Sequence, residues 1–245
     1  MQLILNFRGI DYSVQIDNVT EQNYKDIVDH FYGLLENPTI KLRDSICTAF
    51  CRAVQICPTA NPSDLWHHII YRSFLRYGCS SQSWVRASGE GFELSLMCAF
   101  NPYLEKCNIR FRPLISGIDK LNALKEMGIQ DKVGGSKIDI AIERKLPSGI
   151  WNIIGGIHAK ASLAERVSDD IPASLVMMEY GFISLLVTLD VKSFPPPHGD
   201  LVNRGELGTL ENPSDKRKYI EHHGAFSAAF REALKNRLVP GQKFS

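Results

Sequence analysis

The sequence predicts a mixed α/β protein with a largely helical N-terminal half. From about residue 20 to residue 105, apolar residues recur at the three- and four-residue spacing of amphipathic helices. Between about residues 106 and 192, alternating and continuously apolar stretches are instead typical of strands. Because the order in this second region is strand, hairpin, helix and buried strand, we expect a mixed central β-sheet flanked by helices.

The N-terminal half is expected to begin with a hairpin and to continue with four helices. Residues 2–16 alternate in short apolar bursts around Arg8 and Gly9, which predicts two strands and a turn. Pro58 and Gly78 end the second and third helices, and Ser63 with Asp64 can cap the start of the third. The stripes that define the helices are Ile27, Phe31, Leu34 and Leu35; Ile46, Phe50, Val54 and Ile56; Trp66, Ile69, Ile70 and Leu75; and residues 88–100.

The second half carries the predicted sheet. Strands are expected at 108–114, 137–144, 150–161 and 182–191, and helices at 118–127, 162–180 and 214–238. We interpret the whole chain, residues 1–245, as a single domain. In it, 1–105 is mostly helical, 106–192 is the α/β core and 193–245 is a loop followed by a C-terminal helix.

Net charge, the length of the apolar runs and the cysteine spacing exclude several classes of protein. The 28 basic and 27 acidic side chains give a net charge of +1, which excludes a polybasic tail protein but allows a basic groove balanced by acidic groups elsewhere. No apolar run reaches the length of a membrane span, and no basic leader precedes an apolar core at the N-terminus. The six cysteines form no CxxC pair. We therefore expect reduced thiols, a cytoplasmic location and no membrane association.

The hairpin at 137–161 brings chemically active side chains together. Alternation places His158 and Lys160 on one face of its second strand. If the hairpin turns at Ser148 and Gly149, Asp139 lies opposite His158, with Lys160 one pleat further along. The carboxylate and the ammonium group then fall within about 7–8 Å of each other, the diagonal distance across two paired strands.

A carboxylate and a lysine in this arrangement suit the hydrolysis of a phosphodiester. The carboxylate can hold a divalent cation, and its hard oxygen atoms favour Mg²⁺. Such a cation lowers the pKa of bound water and neutralises charge that develops on the phosphate. The lysine can orient or deprotonate that water and stabilise the transition state.

Four segments resemble the PD-(D/E)XK nucleases and, within them, the type II restriction endonucleases. They are SGEGFE at 88–93, KIDIAIE at 137–143, HAKASLAER at 158–166 and LDVKS at 189–193. The resemblance implies a restriction-endonuclease-like sheet whose catalytic core is 106–192. It also implies Mg²⁺ as cofactor, double-stranded DNA as partner and a homodimer with one active site per DNA strand.

The same resemblance assigns roles to single residues. It implies that Asp139 is the metal-binding acid, that Lys160 is the motif lysine and that Glu93 is the glutamate which this superfamily often places beside the metal. Lys137 and Ile138 stand where the motif usually has proline, which is a tolerated variation.

Position 158 departs further from the motif, because it is His where the motif has Asp or Glu. Histidine adds little to a Mg²⁺ site. Some restriction enzymes take the missing acid from the following helix, and Glu165 and Glu179 are the candidates there, with Glu93 a third. We expect Glu165 or Glu93 to complete the site, and the choice between them stays open.

Residues after the lysine are candidates for DNA contacts. Arg166 can donate to guanine O6 and N7, and Asp169 or Asp170 can accept from cytosine N4, which would place a G·C pair in the recognition site. An ion-pair network on a helix surface is the alternative reading of these three residues. Lys192 and Arg204 are expected to contact phosphates, and the long loop at 195–210 can reach the DNA as an arm.

The sequence thus predicts a Mg²⁺-dependent, sequence-specific double-strand endonuclease that cuts a short palindromic site containing G·C pairs. The helices of residues 20–80 are the candidate dimer surface. A structure-selective or repair nuclease with the same chemistry is one alternative. A DNA-binding module of the same fold that has lost catalysis is another, and His158 is the main support for it.

Overall fold

The computed structural model describes residues 1–7, 10–134, 138–162, 167–190, 206–207 and 213–230. Within these ranges the chain divides into two compact units. The first comprises residues 1–91 with 189, 190 and 206, and the second comprises 92–188 with 207 and 213–230. That the whole chain behaves as a single domain stays a prediction.

The first unit contains the predicted hairpin and helices. Strands β1 (Gln2–Phe7) and β2 (Ile10–Gln15) pair antiparallel. The helices are α1 (Glu21–Glu36), α2 (Leu42–Ile56), α3 (Pro62–Asp64), a π-helical segment at Leu65–Tyr71, and α4 (Arg72–Arg76). Phe31, Ile46 and Ile69 are fully buried in this unit, as their helical spacing predicted.

The start of the third predicted helix differs from the expectation. Asn61, not Ser63 or Asp64, is the N-cap, and its side chain accepts a hydrogen bond from the backbone N–H of Ser63. Pro62 occupies the first helical position, where its missing N–H costs nothing because that group has no partner within the helix.

The second unit is built on a five-stranded mixed sheet, which confirms the predicted fold class. The strands are β3 (Ile109–Pro113), β4 (Ile140–Lys145), β5 (Trp151–Lys160), β6 (Ile183–Thr188) and β7 (Ala228–Phe230), and they lie side by side in this order. The β3–β4 and β4–β5 pairs are antiparallel, whereas the β5–β6 and β6–β7 pairs are parallel. Its helices are α6 (Gly117–Glu126), α7 (Val167–Glu179) and α8 (Asp215–His222), and α5 (Ser81–Leu104) begins in the first unit and ends in the second.

Two apolar clusters attach these helices to the sheet. One contains Leu124 of α6, Ala141 of β4, Ile153 of β5 and Met177 of α7. The other contains Leu186 of β6 and Ile220 of α8. Helices α6 and α7 therefore pack against β4 and β5, and the predicted site lies beside these two strands.

The glycine pair at 155–156 has a packing role in β5. A β-carbon at Gly155 would collide with the backbone carbonyl of Ile183 in β6, and one at Gly156 would lie 2.7 Å from Cγ2 of Ile138. These glycines therefore allow the close approach of the neighbouring strand and of the segment that leads into β4.

The C-terminal helix expected at 214–238 is wrong in its extent. Helix α8 ends at His222, Gly224 adopts a positive φ of 59°, and β7 follows. Pairing of β7 with β6 supplies backbone hydrogen bonds that a continued helix would have made internally. Residues 231–238 lie outside the described residues, as does almost all of the 195–210 loop.

Among the described residues, no helix combines the length and the apolar character needed to cross a membrane. The six cysteines all lie within the described residues, and none of them is paired in a disulfide there.

Candidate active site

Asp139 lies immediately before β4, and the backbone fixes it there. Its N–H donates to the carbonyl of Ile157 at 3.0 Å, and its carbonyl accepts from the N–H of Leu114 at 2.9 Å. Because Ile140 pairs with Ile157, Asp139 stands opposite His158, as the predicted hairpin register required. Asp139 is buried.

The Asp139 carboxylate is held from three directions. Its Oδ2 atom accepts from the backbone N–H of Ala159 at 2.9 Å and from Nζ of Lys160 at 3.1 Å. Its Oδ1 atom accepts from Nζ of Lys120 at 2.9 Å. The predicted proximity of Asp139 and Lys160 is thus a direct ion pair, and Lys120 is an additional partner.

These contacts keep both members of the pair charged. Burial acts to raise the pKa of Asp139, but the charges of Lys160 and Lys120 and the hydrogen bonds from Lys120 and Ala159 bring that pKa below its ordinary value. Burial acts to lower the pKa of Lys160, but the charges of Asp139 and Asp170 raise it above its ordinary value. At neutral pH the carboxylate is therefore ionised and the ammonium group protonated.

Asp170 is a second buried carboxylate in the same cluster. It belongs to the first turn of α7, is 4% exposed, and places Oδ2 at 3.4 Å from Nζ of Lys160. Its Oδ1 atom lies 4.0 Å from Nδ1 of His158. The surface ion-pair network that the sequence allowed for Asp170 is not what the structure shows, because its side chain packs against the lysine beneath the helix end.

His158 is fully buried and links several elements. Its Nε2 atom lies 3.3 Å from Oγ of Ser184 in β6, and that hydroxyl donates to Oγ of Ser174 in α7 at 2.9 Å. The ring also contacts the edge of Phe226 at 5.2 Å between centroids. The histidine therefore joins β5, β6 and α7, with its other nitrogen on the side of Asp170.

Lys120 reaches the site from α6. A capping box fixes the start of that helix, because Ser116 Oγ accepts from the N–H of Asp119 and the Asp119 carboxylate accepts from the N–H of Ser116. Lys120 follows one residue later, and its side chain is 16% exposed. Nothing in the sequence distinguished this lysine from the other polar residues of α6.

The remaining predicted residues have different outcomes. Glu93 is buried in α5 and Asp169 is exposed on the first turn of α7. Glu179 is exposed at the C-terminal end of α7, about 13 Å along the helix from Asp170 at the rise of a regular helix. Glu165, Arg166, Lys192 and Arg204 lie outside the described residues.

The donor set of the cluster fits a hard divalent cation. Asp139 and Asp170 each present one carboxylate oxygen to the same nitrogen atom of Lys160, at 3.1 and 3.4 Å. Carboxylate oxygens are the ligands that Mg²⁺ prefers in proteins. The neighbouring histidine nitrogens are poorer donors for that ion.

Comparisons with known proteins identify the relatives of this chain. The family model described as BsaWI restriction endonuclease type 2 matches residues 115–243, which include Lys120, Asp139, Lys160 and Asp170. The type II restriction enzyme AgeI of Thalassovita gelatinovora is 54% identical over 239 residues, which cover 94% of this chain and 86% of that protein.

Two solved structures are also similar. The crystal structure of the specific AgeI–DNA complex superposes with a TM-score of 0.88 at 54% identity, over 94% of this chain and 86% of that one. A pre-specific BsaWI–DNA complex covers 68% of this chain and 70% of that one at 19% identity, and its TM-score of 0.37 is too low to support any argument. The family match, the identity and the shared fold together show that the chain belongs to the type II restriction endonucleases and is a sequence-specific DNA endonuclease.

Proposed function

We propose that this chain is a Mg²⁺-dependent endonuclease in which Asp139 and Asp170 hold the metal ion and Lys160 acts on the scissile phosphate. Enzymes of the type II class generally need a divalent metal ion. The observation that carries the proposal is the contact of one lysine with two buried carboxylates from different elements, at 3.1 and 3.4 Å. A merely structural lysine needs only one such partner.

Each residue of the cluster has a defined task in this proposal. The backbone N–H of Ala159 orients the Asp139 carboxylate, and the site keeps it ionised. Lys160 positions the attacking water and stabilises negative charge that develops on the phosphate. A bound divalent cation supplies Lewis acidity at the phosphate and lowers the pKa of water.

Asp170 is our candidate for the acid that the motif has at position 158. Position 158 carries His instead of an acid, and Nδ1 of that histidine lies 4.0 Å from Oδ1 of Asp170. The carboxylate of the following helix therefore stands next to the position from which it is missing. We assign Asp170 as the second acid in place of the expected Glu165, and Glu93 stays a proposal as a further acid of the site.

The partner of the proposed enzyme is double-stranded DNA. The similar AgeI structure is an enzyme–DNA complex. We retain Arg166, Asp169, Lys192 and Arg204 as proposed DNA contacts and remove Asp170 from that set, because it is buried and paired with Lys160. Cleavage of a short palindromic site with G·C pairs, a homodimer with one active site per strand, and a cytoplasmic location remain parts of the proposal.

The test is a digest of unmethylated phage DNA with purified protein, with and without Mg²⁺. We expect discrete fragments that require Mg²⁺ from the unchanged protein, and none from Asp139→Ala, Lys160→Ala or Asp170→Asn. Glu179→Gln is the matched control for Asp170→Asn, because it removes an exposed carboxylate from the other end of the same helix, and it should cleave normally.

The outcomes separate the alternatives. Normal cleavage by Asp170→Asn together with loss in Glu179→Gln would contradict our assignment of the second acid. A persistent gel shift without cleavage by the unchanged protein would favour a DNA-binding module of the same fold. A smear or a preference for forked substrates would favour a structure-selective or repair nuclease.

A further inference from the structure

Lys120 is hydrogen-bonded to one of the two carboxylate oxygens of Asp139, the proposed metal ligand. The Oδ2 atom of Asp139 already accepts two hydrogen bonds, from Ala159 and Lys160. The Oδ1 atom accepts from Nζ of Lys120 at 2.9 Å. Oδ1 is therefore the oxygen with most capacity left for a cation, and an ammonium group already contacts it.

The cluster is balanced in charge before any metal ion enters. Asp139 and Asp170 contribute two negative charges, and Lys120 and Lys160 contribute two positive ones. The two carboxylates are buried, and the two lysine side chains are 16% and 24% exposed. Adding a divalent cation to such a neutral, poorly hydrated cluster is unfavourable unless one of the existing positive charges moves away or a negative charge arrives.

Lys120 is the better suited of the two lysines to move. Lys160 contacts both carboxylates, whereas Lys120 contacts Asp139 alone among these two. A lysine ammonium is a compact charge on a flexible four-carbon chain, so it can change partner without movement of the backbone. A DNA phosphate that enters the site would offer the ammonium group a new partner of opposite charge.

We propose that Lys120 is a displaceable counter-cation: it holds Oδ1 of Asp139 in the free enzyme and releases that oxygen when DNA and the metal ion bind. This inference rests on the metal-dependent function proposed above and adds a regulatory step to it. Uptake of the metal ion is thereby coupled to the arrival of DNA, since the phosphate takes over the ammonium group. Lys120 is in this sense a positioning residue for metal binding.

The direct test measures binding of Mn²⁺ alone to the full chain, without DNA, by electron paramagnetic resonance. We expect Lys120→Met to bind Mn²⁺ about tenfold more tightly than the unchanged protein, or more, since a charge-assisted hydrogen bond no longer competes. Lys125→Met is the matched control, because Lys125 is an exposed lysine of the same helix. It removes the same charge without freeing Oδ1 and should bind Mn²⁺ as the unchanged protein does.

Equal or weaker binding by Lys120→Met would overturn the inference, and so would an equal gain in Lys125→Met, which would indicate a general charge effect. If Lys120→Met does not fold, as judged by its thermal unfolding, Lys120→Arg carries the test. That variant keeps the positive charge beside Oδ1 and should bind Mn²⁺ no more tightly than the unchanged protein. Tighter binding by Lys120→Arg would also overturn the inference.

Asp139→Asn separates this inference from the function on which it rests. If the double variant Lys120→Met/Asp139→Asn binds Mn²⁺ as tightly as Lys120→Met does, the metal site itself is misassigned and the proposed function fails. If the double variant loses Mn²⁺ while Lys120→Met behaves like the unchanged protein, only the role of Lys120 fails.

Cleavage of phage DNA at varied Mg²⁺ concentration supplies an independent readout. We expect Lys120→Met to reach its half-maximal rate at a lower Mg²⁺ concentration but to have a lower maximal rate, because it lacks the contact to phosphate. A purely structural role would lower the rate without changing the half-maximal concentration, and that result would contradict the proposal.

Discussion

The two ends of β4 hold two buried carboxylates in different ways. Asp139, just before the strand, pairs with the ammonium groups of Lys120 and Lys160, which come from α6 and β5. Glu143, within the strand, pairs with the guanidinium groups of Arg110 and Arg112 at 2.6 and 2.5 Å, and both of these come from β3. Both carboxylates are therefore buried, but Asp139 is paired with lysines and Glu143 with arginines.

We interpret the difference in partners as the difference between a structural carboxylate and a proposed reactive one. Arginine presents a planar, permanently charged fork, and the guanidinium of Arg110 also stacks on the ring of Trp151 at 4.2 Å. Each carboxylate oxygen of Glu143 in β4 is therefore paired with one arginine of the neighbouring strand β3, and we call this arrangement the arginine clamp. The lysines around Asp139 belong to different elements, and one of them also contacts Asp170. We interpret the Asp139 end as the site and the Glu143 end as its support.

The largest expected effect is on the rate of DNA cleavage, when the charge of Asp139 is removed and Glu143 serves as the comparison. Asp139→Asn should slow DNA cleavage by at least about a hundredfold, the scale for loss of one group that stabilises the transition state. Glu143→Gln should leave the cleavage rate of the folded protein within a few-fold of the unchanged rate. Single-turnover cleavage of phage DNA at saturating Mg²⁺ measures both. A loss of cleavage in Glu143→Gln without a loss of stability would contradict the comparison.

The sequence predicted the Asp139–Lys160 pair because it depends on local geometry. Alternation along two strands and the expected turn at Ser148 and Gly149 place Asp139 opposite His158, and the observed pairing of Ile140 with Ile157 agrees with this. Nearer the turn the pairing is offset by one residue, because the register shifts between Ile142 and Glu143. The restriction-endonuclease-like fold followed from the same segment and from the family resemblance.

The other members of the site depend on how helices dock on the sheet. Periodicity identifies the buried face of α6 and α7, but it does not give the position of either helix along its axis or the height at which it meets the sheet. Lys120 therefore gave no signal, and Asp170 was interpreted as a DNA contact. The end of α8 was missed for a related reason, because strand β7 is stabilised by pairing with β6 rather than by its own sequence.

Glu143→Gln should lower the stability of the protein rather than its activity. Glu143→Gln leaves two arginines, each about one-third exposed, without the charge that they clamp. We expect it to lower the free energy of unfolding by about 2 kcal/mol, less than for a fully buried pair because solvent reaches the arginines. Urea unfolding followed by circular dichroism measures the change. A loss of less than about 0.5 kcal/mol, as for an exposed ion pair, would contradict the description of Glu143 as a structural carboxylate.

The pH dependence of stability sharpens the comparison at the Asp139 end. Because the pKa of Asp139 is lowered in the folded protein, its charge adds stability that is fully present above the ordinary carboxyl pKa of 3.8 and is lost as the pH falls through the lowered value. The stability difference between the unchanged protein and Asp139→Asn should therefore shrink in strong acid.

The raised pKa of Lys160 determines how stability changes at high pH. Its contribution is fully present below the ordinary lysine pKa of 10.5 and is lost as the pH rises through the raised value. Urea unfolding of the unchanged protein and of Asp139→Asn, measured from strong acid to strong base, tests both pH dependences. Groups that the substitution does not affect cancel in the difference between the two free energies of unfolding. A difference that stayed constant with pH would contradict the ion-pair description of the site.

The smallest expected effect comes from exchanging one kind of cation for the other in the clamp. Arg112→Lys keeps the positive charge beside Glu143 but loses the planar fork, so we expect a loss of about 1 kcal/mol in the free energy of unfolding and no change in cleavage. Lys160→Arg makes the reverse exchange at the site and should abolish most cleavage while leaving stability nearly unchanged, because the charge is kept but the water-positioning geometry is not. Cleavage rates and urea midpoints of the two variants give the four values needed. If both exchanges affected the same property, the difference between an ammonium site and a guanidinium clamp would not explain why one carboxylate is reactive and the other structural.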